Sequence, residues 1–169
     1  MRFYSQFKVN IEPKGQGRAR AAVRGKHATM YKATADRQFE QTFAAIAHAY
    51  RPKDEKGQPL LISSPTELVI LAVLPRPESL NKVSKRTGQP LSDPARQFHT
   101  KKPDIDNIQK AVLDAMKDWW TDDAVVSKVT AQKVTAAFGE APHYEVIVRN
   151  LVASDGDALT IEELANIPF

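Results

Sequence analysis

The stretch Lys101–Val126, KKPDIDNIQKAVLDAMKDWWTDDAVV, decides how the rest of the chain is read. Ile105, Ile108, Val112, Met116 and Trp119 recur at helical spacing and mark the buried stripe of a helix over 105–119. Asp106, Lys110 and Asp114 stand at i, i+4 and i+8 on the opposite face. That spacing sets a carboxylate and an ammonium side by side near the helix start. Pro103 suits a helix entry and cannot continue a helix backwards, which leaves Asp104 just outside. Two carboxylates at i and i+2 across such a junction can aim at one point. Asp122 and Asp123 come next, in a turn leading into a β-prone run, Val125–Val134. If that strand returns beside the helix start, one of the two completes a carboxylate cage. A plainer alternative stays open: Asp104 or Asp106 caps the helix, and Lys110 pairs weakly with Asp106.

Working outward, Glu67–Leu74 is a continuous apolar run and reads as a strand buried on both faces. Phe3, Phe7, Val9 and Ile11 alternate as a first strand does, and Tyr144–Val152 supplies a last one. Thr34 is placed to cap a helix reaching about Tyr50, with Phe39, Phe43, Ile46 and Tyr50 on its core face. Residues 13–33 are glycine-bearing and basic without periodicity, and predict a loop or an irregular hairpin. Arg51–Pro65 reads as a connector. Pro75–Lys102 reads as a long basic loop, a length that is usually functional or disordered. Adjacent Trp119 and Trp120 cannot share one face, so one is expected to pack and the other to meet DNA or a partner chain. The order is β-α-β-α-β-β. It predicts a two-layer α+β domain with a mixed four-stranded sheet over residues 1–152. An acidic tail, 153–169, completes the chain, with a short helix expected at Thr160–Ala165.

Charge along the chain is segregated. The 24 Lys and Arg residues against 20 Asp and Glu give a net +4, a total that hides how the charges are arranged. Lys8–Lys32 and Arg76–Lys102 are strongly basic, Pro103–Asp123 is aspartate-rich, and residues from Leu151 onward carry acids and no base. Clustered bases beside clustered carboxylates suit a metal-dependent enzyme acting on nucleic acid: bases hold phosphates, carboxylates hold the cation. With no cysteine, disulfides, thiolate zinc sites and cysteine nucleophiles are excluded. His27, His48, His99 and His143 are scattered without ligand spacing. The remaining hard oxygen donors favour Mg²⁺, with Mn²⁺ able to substitute. Lys110 is placed to neutralise charge developing on a phosphate or to position a water. Gly15-Gln16-Gly17 lacks the third glycine of a dinucleotide fingerprint, and no P-loop is present, so no nucleotide cofactor is expected. No signal peptide or membrane-length apolar run is evident, and a cytoplasmic protein without membrane association is expected.

At these residues the chain resembles the RusA family of Holliday-junction resolvases, many of them encoded by phages and prophages. The family pattern K-P-D-x-D-N-x-x-K-x-x-x-D-A stands here as Lys102-Pro103-Asp104-Ile105-Asp106-Asn107-Ile108-Gln109-Lys110, then Asp114-Ala115. Its W-x-D-D continuation stands as Trp120-Thr121-Asp122-Asp123. A glycine-basic element before an aromatic-bearing helix is matched by Gly15-Gln16-Gly17-Arg18-Ala19-Arg20, where Gln16 and Ala19 depart from the pattern. The gap before Asp122 is also shorter than in some members. The resemblance covers most of residues 3–150 and leaves the tail outside. It implies a homodimeric, Mg²⁺-dependent endonuclease that nicks four-way junctions in pairs during recombination and repair. Asp104, Asp106 and Asp123 then match the metal-binding carboxylates, with Asp122 the alternative to Asp123, and Lys110 matches the catalytic lysine. Candidate DNA contacts are Lys14, Arg18, Arg20, Arg24, Lys26, Lys85, Arg86, Lys101 and Lys102. Two competitors remain: a broader nuclease of branched or flapped DNA in phage replication or packaging, and a non-catalytic DNA-binding protein.

Overall fold

A chain with a strand as apolar as Leu68–Leu74 must cover that strand on both sides, and the architecture is organised around this requirement. The computed structural model describes residues 3–17, 20–24, 27–31 and 33–151, with residues 20–24 and 27–31 described by backbone alone. In chain order the elements are β1 (Tyr4–Val9), β2 (Arg20–Arg24), β3 (His27–Tyr31), α1 (Thr34–His48), β4 (Thr66–Leu74), β5 (Gln97–Phe98), α2 (Ile105–Ala115), β6 (Val126–Thr135) and β7 (His143–Asn150). The main sheet has the order β1-β7-β4-β6-β5. β4 runs parallel to β6 and antiparallel to β7, and β1 closes the far side antiparallel to β7. Every residue of β4 is buried, as its sequence predicts.

The expected α+β class, mixed sheet and order of long elements are present. The sheet has five strands, however, not four. β5 lies inside the stretch expected to be a featureless basic loop, and two residues are too few to show any periodicity. Residues 20–24 and 27–31 pair antiparallel as the two-stranded sheet β2-β3. Ala33 rather than Thr34 occupies the cap position of α1, with no side-chain cap bond. α2 stops at Ala115, and a 3₁₀ turn at Lys117–Trp119 replaces the expected last helical turn. Trp120 is extended (φ −125°, ψ 158°), which turns its indole back toward the core. Both tryptophans are therefore 3% exposed, so the expectation that one faces DNA or a partner is not met.

Both helices cover one face of the sheet: α1 packs on β1 and against α2, and α2 lies over β6. The core between the layers joins Phe7, Phe43, Leu68, Ile70, Ile108, Val112 and Tyr144. On the other face Glu67, 0% exposed, is held by Lys128 (3.0 Å) and Arg149 (2.7 Å). Among the described residues no helix is long and apolar enough to cross a membrane. The expected tail and its helix, Arg18 and Lys26, and the side chains of Arg20 and Arg24 lie outside what the structure describes.

Candidate active site

The site begins where α2 begins. Asp104 is the N-cap residue in extended conformation (φ −72°, ψ 147°), yet its side chain makes no capping bond. The carboxylates of Asp104 and Asp106 are exposed. One turn on, the Lys110 ammonium is exposed as well. Among the described residues none of these three groups has a hydrogen-bond or ion-pair partner. Neither the capping role nor the Asp106–Lys110 pair of the plainer reading is formed. Three uncommitted charges within about two helical turns can accept a ligand without first breaking a protein contact.

A second segment is laid against this helix start. Lys14, Gly15 and Gln16 face Lys102, Asp104 and Asn107 across a shallow cleft of about 440 Å³. The glycines are explained by close approach. A Cβ on Gly15 would sit 2.8 Å from Cβ of Pro103, and one on Gly17 would sit 2.9 Å from Oδ2 of Asp36. The Gln16 backbone N–H donates to the Asn107 carbonyl (2.9 Å), and its side-chain amide donates to the Asp114 carboxylate. Asp114 thus binds this segment to α2. Lys14 is fixed at three points: its N–H donates to the Tyr144 hydroxyl (2.9 Å), its carbonyl accepts from that hydroxyl (3.2 Å), and its ammonium pairs with Asp36 (2.6 Å). Burial pushes the Tyr144 hydroxyl well above its ordinary pKa, so it remains a donor.

The other wall is set from β6. The Lys133 ammonium donates to the carbonyls of Lys101 and Pro103, both at 2.7 Å. His99 places one ring nitrogen 2.9 Å from the Thr135 hydroxyl and the other 3.3 Å from the Lys102 carbonyl. Together these contacts hold residues 99–103 on the C-terminal end of β6 and aim Asp104 outward. The exposed side chain of Lys102 lines the cleft, and that of Lys101, next in sequence, is exposed as well. Lys85 and Arg86 project from a turn closed by the Ser84 and Gln89 backbones (2.8 Å). Arg20 and Arg24 occupy the ends of β2, in register with Tyr31 and His27.

Asp122 and Asp123 are exposed but lie elsewhere. α2 runs antiparallel to β6, so the turn entering β6 is at the far end of the helix from Asp104. The Trp119 carbonyl and Thr121 N–H bond to Ile62 (both 2.9 Å), at the N-terminal side of β4. Eleven helical residues span about 16 Å, which separates the two aspartate pairs within one chain. Asp122 accepts from the Ala124 N–H and Asp123 from the Trp120 indole, both at 2.8 Å. Among the described residues the group of three donors within 4.8 Å of one another is instead Glu140, His143 and Glu145. That group is already satisfied. Arg96 pairs with both glutamates, the Ala137 N–H bonds Glu140 (2.8 Å), and His143 bridges Glu145 (2.8 Å) and the Ala141 carbonyl (2.8 Å). A cation entering there would meet the Arg96 guanidinium, so the chemistry of the donors disfavours it. At Asp104 and Asp106, by contrast, the donors are hard oxygens, exposed and unpaired, and fit a hydrated divalent ion.

Sequence reasoning missed Tyr144, Asp36 and Lys133 as positioning residues. Each contacts the site through backbone groups or a single ammonium, across long sequence separations that leave no local spacing to read. Gln16 carried a signal, because its neighbours are glycines, but its bond to Asp114 was not legible. Compared with known proteins, residues 10–149 match the family profile described as "Endodeoxyribonuclease RusA". A Bacillus subtilis (strain 168) protein described as "Uncharacterized protein YqaN" is 30% identical over 149 residues, 88% of this chain and 97% of that protein. The matched span contains both cleft walls, α2 and the Asp122–Asp123 turn.

Proposed function

The chain belongs to the RusA endodeoxyribonuclease family, and on that premise we propose that it is a Mg²⁺-dependent, homodimeric nuclease that resolves four-way DNA junctions by paired nicks. The observation that carries the reading is the exposed, uncommitted Asp104–Asp106–Lys110 set beside a cleft walled by Lys14 and Lys102. Asp104 and Asp106 hold the cation, and Mn²⁺ substitutes for it; Asp122 and Asp123, at the far end of α2, lie too far away to join them within one chain. When bound, such an ion polarises a phosphoryl oxygen and supplies a water of lowered pKa.

The protein's own groups have separate tasks. Lys14, pinned through its backbone and tethered to Asp36, offers positive charge to a phosphate entering the cleft. Lys101 and Lys102 extend that grip along the DNA backbone, as do Lys85, Arg86 and the bases Arg18, Arg20, Arg24 and Lys26 of the basic N-terminal stretch of sequence. Lys110 stands one helical turn from Asp106 and neutralises charge that grows on the phosphate oxygens in the transition state. A two-fold dimer suits a junction because it presents two equivalent sites to two related strands.

The deciding experiment incubates the protein with a synthetic four-way junction, with and without Mg²⁺, beside three-way, flap and linear duplex substrates. Symmetric nicks confined to the four-way junction and dependent on Mg²⁺ support the proposal. Equal cleavage of flaps and three-way junctions moves it to a general branched-DNA nuclease. Binding without cleavage in either metal rejects the catalytic reading.

A further inference from the structure

The stretch joining β4 to β5 is built around a buried cation. Arg76 is 8% exposed and has no carboxylate partner among the described residues; its guanidinium donates to the carbonyls of Leu80, Asp93, Ala95 and Ala136. A buried guanidinium is costly unless its donors are used. Here they tie the outgoing leg at Leu80, the returning leg at Asp93 and Ala95, and the C-terminal end of β6 into one root. The Phe138 N–H donates to the Pro94 carbonyl (2.7 Å) on the same root. From it Lys82–Leu91 stands out as a small hairpin. The Leu91 N–H donates to the Lys82 carbonyl (2.9 Å), Val83 pairs antiparallel with Pro90, and the Ser84 N–H donates to the Gln89 carbonyl (2.8 Å). Gly88, at φ 69°, takes the left-handed conformation in which its N–H reaches the Ser84 carbonyl (2.8 Å) and closes the tip.

The hairpin, KVSKRTGQPL, has three bases and no acid. The side chains of Lys82, Lys85 and Arg86 are exposed and have no partner among the described residues. Val83 is 44% and Leu91 66% exposed beside them. Cations alone suffice to hold phosphates, and phosphate contacts position a protein without reading the DNA. Apolar side chains gain from DNA only where base faces are open to them, as at an unstacked step. A linear duplex keeps its bases stacked. The centre of a branched molecule adds base pairs that can lose a stacking neighbour.

The returning leg runs on to the carboxylates without a break. Arg96 is bonded to Glu140 and Glu145, Gln97 and Phe98 pair with β6, His99 contacts Thr135, and Lys133 holds the carbonyls of Lys101 and Pro103. Residues 93–103 are thus fastened to the sheet from the hairpin root to the threshold of Asp104. Ala136 at the root and Lys133 at the carboxylate end are separated by about 10 Å of extended chain.

We propose that the hairpin 82–91 is a branch-reading arm. Val83 and Leu91 pack on base pairs unstacked at the centre of branched DNA, Lys85 and Arg86 hold the flanking phosphates, and the strut 93–103 keeps the arm at a fixed distance from Asp104. The inference rests on the branched-DNA reading for its ligand and goes beyond it by assigning the selectivity to one element. The buried group of Arg96, Glu140, His143 and Glu145 acts in this arrangement as the post that keeps the strut rigid. Rigidity matters because an arm already in its bound shape loses little conformational freedom on binding.

The test measures binding without Mg²⁺, so that cleavage does not enter. Wild type, Val83→Ser/Leu91→Ser and Lys85→Ala/Arg86→Ala are titrated against a four-way junction and a linear duplex of equal length over a range of salt. The serine variant is expected to lower the preference for the junction about tenfold with duplex affinity and salt slope unchanged, since apolar contact is lost and no phosphate contact is. The alanine variant is expected to weaken both substrates alike and to reduce the salt slope. A fluorescent adenine analogue at the branch point should brighten on binding wild type and not on binding the serine variant. Both apolar side chains are in solvent, so the serine variant should keep the wild-type melting temperature. In a further variant Asn-Gly replaces residues 83–90, a two-residue turn that the Lys82–Leu91 bond is placed to accept; it should lose the preference as well. An unchanged preference in the serine or the shortened variant overturns the inference, and so does a wild type that binds junction and duplex equally. A serine variant that changes only its oligomeric state would give the apolar pair to a contact between copies, and also overturns it. Junction preference that depends on Val83 and Leu91, in a protein that does not cleave when Mg²⁺ is added, supports the arm and counts against the nuclease reading alone.

Discussion

Two charged clusters lie at the same end of the sheet and differ in every physical respect that matters. Around Arg96, two carboxylates, an imidazole and a guanidinium are packed together, with His143 1% and Glu145 5% exposed. Burial pushes the Glu145 and Glu140 carboxyls up. Hydrogen bonds from His143 and Arg96 to Glu145, and from Arg96 and the Ala137 N–H to Glu140, more than reverse this and leave both below the usual carboxylate range. The Arg96 guanidinium is itself held above its ordinary pKa, chiefly by its bond to Glu140. At the start of α2, Asp104, Asp106 and Lys110 are exposed and have no partner among the described residues. The first cluster has the closer donors, and by proximity alone it would be taken for the metal site. The second has the vacant valence. A site is marked by charge that the fold leaves uncompensated, and a tightly knit ionic group is one whose bonding is already complete.

The largest expected effect breaks the comparison at the uncommitted end. Asp106→Asn should lower junction cleavage by about 10²–10³-fold or more, the scale on which a charge that stabilises a transition state is lost. Thermal stability should stay within about 0.5 kcal/mol, because the exposed side chain has no hydrogen-bond or ion-pair partner among the described residues. Parallel nicking and melting measurements on the variant check both halves. A large fall in melting temperature would mean that Asp106 is structural after all. Lys110→Ala should show the same pattern at about 10²-fold, with junction affinity changed less than turnover.

That asymmetry was partly legible in advance. The Asp104–Asp106–Lys110 spacing is local, so helical periodicity alone places it on an exposed face at a helix start, where the structure has it. β4 was legible because the unbroken apolar run Leu68–Leu74 admits few other structures. The Arg96 cluster was not legible, since it joins residues 44 to 49 positions apart in sequence. β5 was invisible for its shortness. The separation of Asp122–Asp123 from Asp104 depends on the direction of β6 relative to α2, and spacing carries no information about direction. Trp120 was misplaced because adjacent aromatics diverge only while the helix continues, and here it has ended.

The next effect breaks the comparison at the saturated end. Arg96→Leu leaves Glu140 and Glu145 facing each other without their guanidinium. It should destabilise the fold by about 2–3 kcal/mol, less than a fully buried pair because Arg96 is one-third exposed. Denaturant unfolding at neutral pH measures this, and a loss below about 0.5 kcal/mol would mean the network contributes little. The pH dependence has a definite sign. Both carboxyls are depressed in the folded state, so their stabilisation is fully present above the unfolded carboxylate range, near pH 4.3. It is lost as pH falls through the lower folded values. The wild-type protein should lose stability steeply below about pH 4, and Arg96→Leu should flatten that descent.

The smallest effect lies where the two regions share a strand. His143 belongs to the saturated cluster, and its neighbour Tyr144 reaches the opposite face of β7 to grip both backbone groups of Lys14. Tyr144→Phe keeps the ring, which packs edge-on against Phe43 with centroids 5.4 Å apart, and removes only the hydroxyl. The Lys14 amide and carbonyl sit on a half-buried segment and regain water in part, so stability should fall by about 1 kcal/mol. The informative readout is DNA binding. If the hydroxyl positions Lys14 for a phosphate, affinity for the junction should drop about three- to tenfold, with a shallower dependence on salt, as when one phosphate contact weakens. A variant that loses the same stability but binds with unchanged affinity and salt slope would assign Tyr144 to the core alone. It would also leave Lys14 as a bystander of the cleft, because the residue that fixes its backbone would then have no bearing on what the cleft holds.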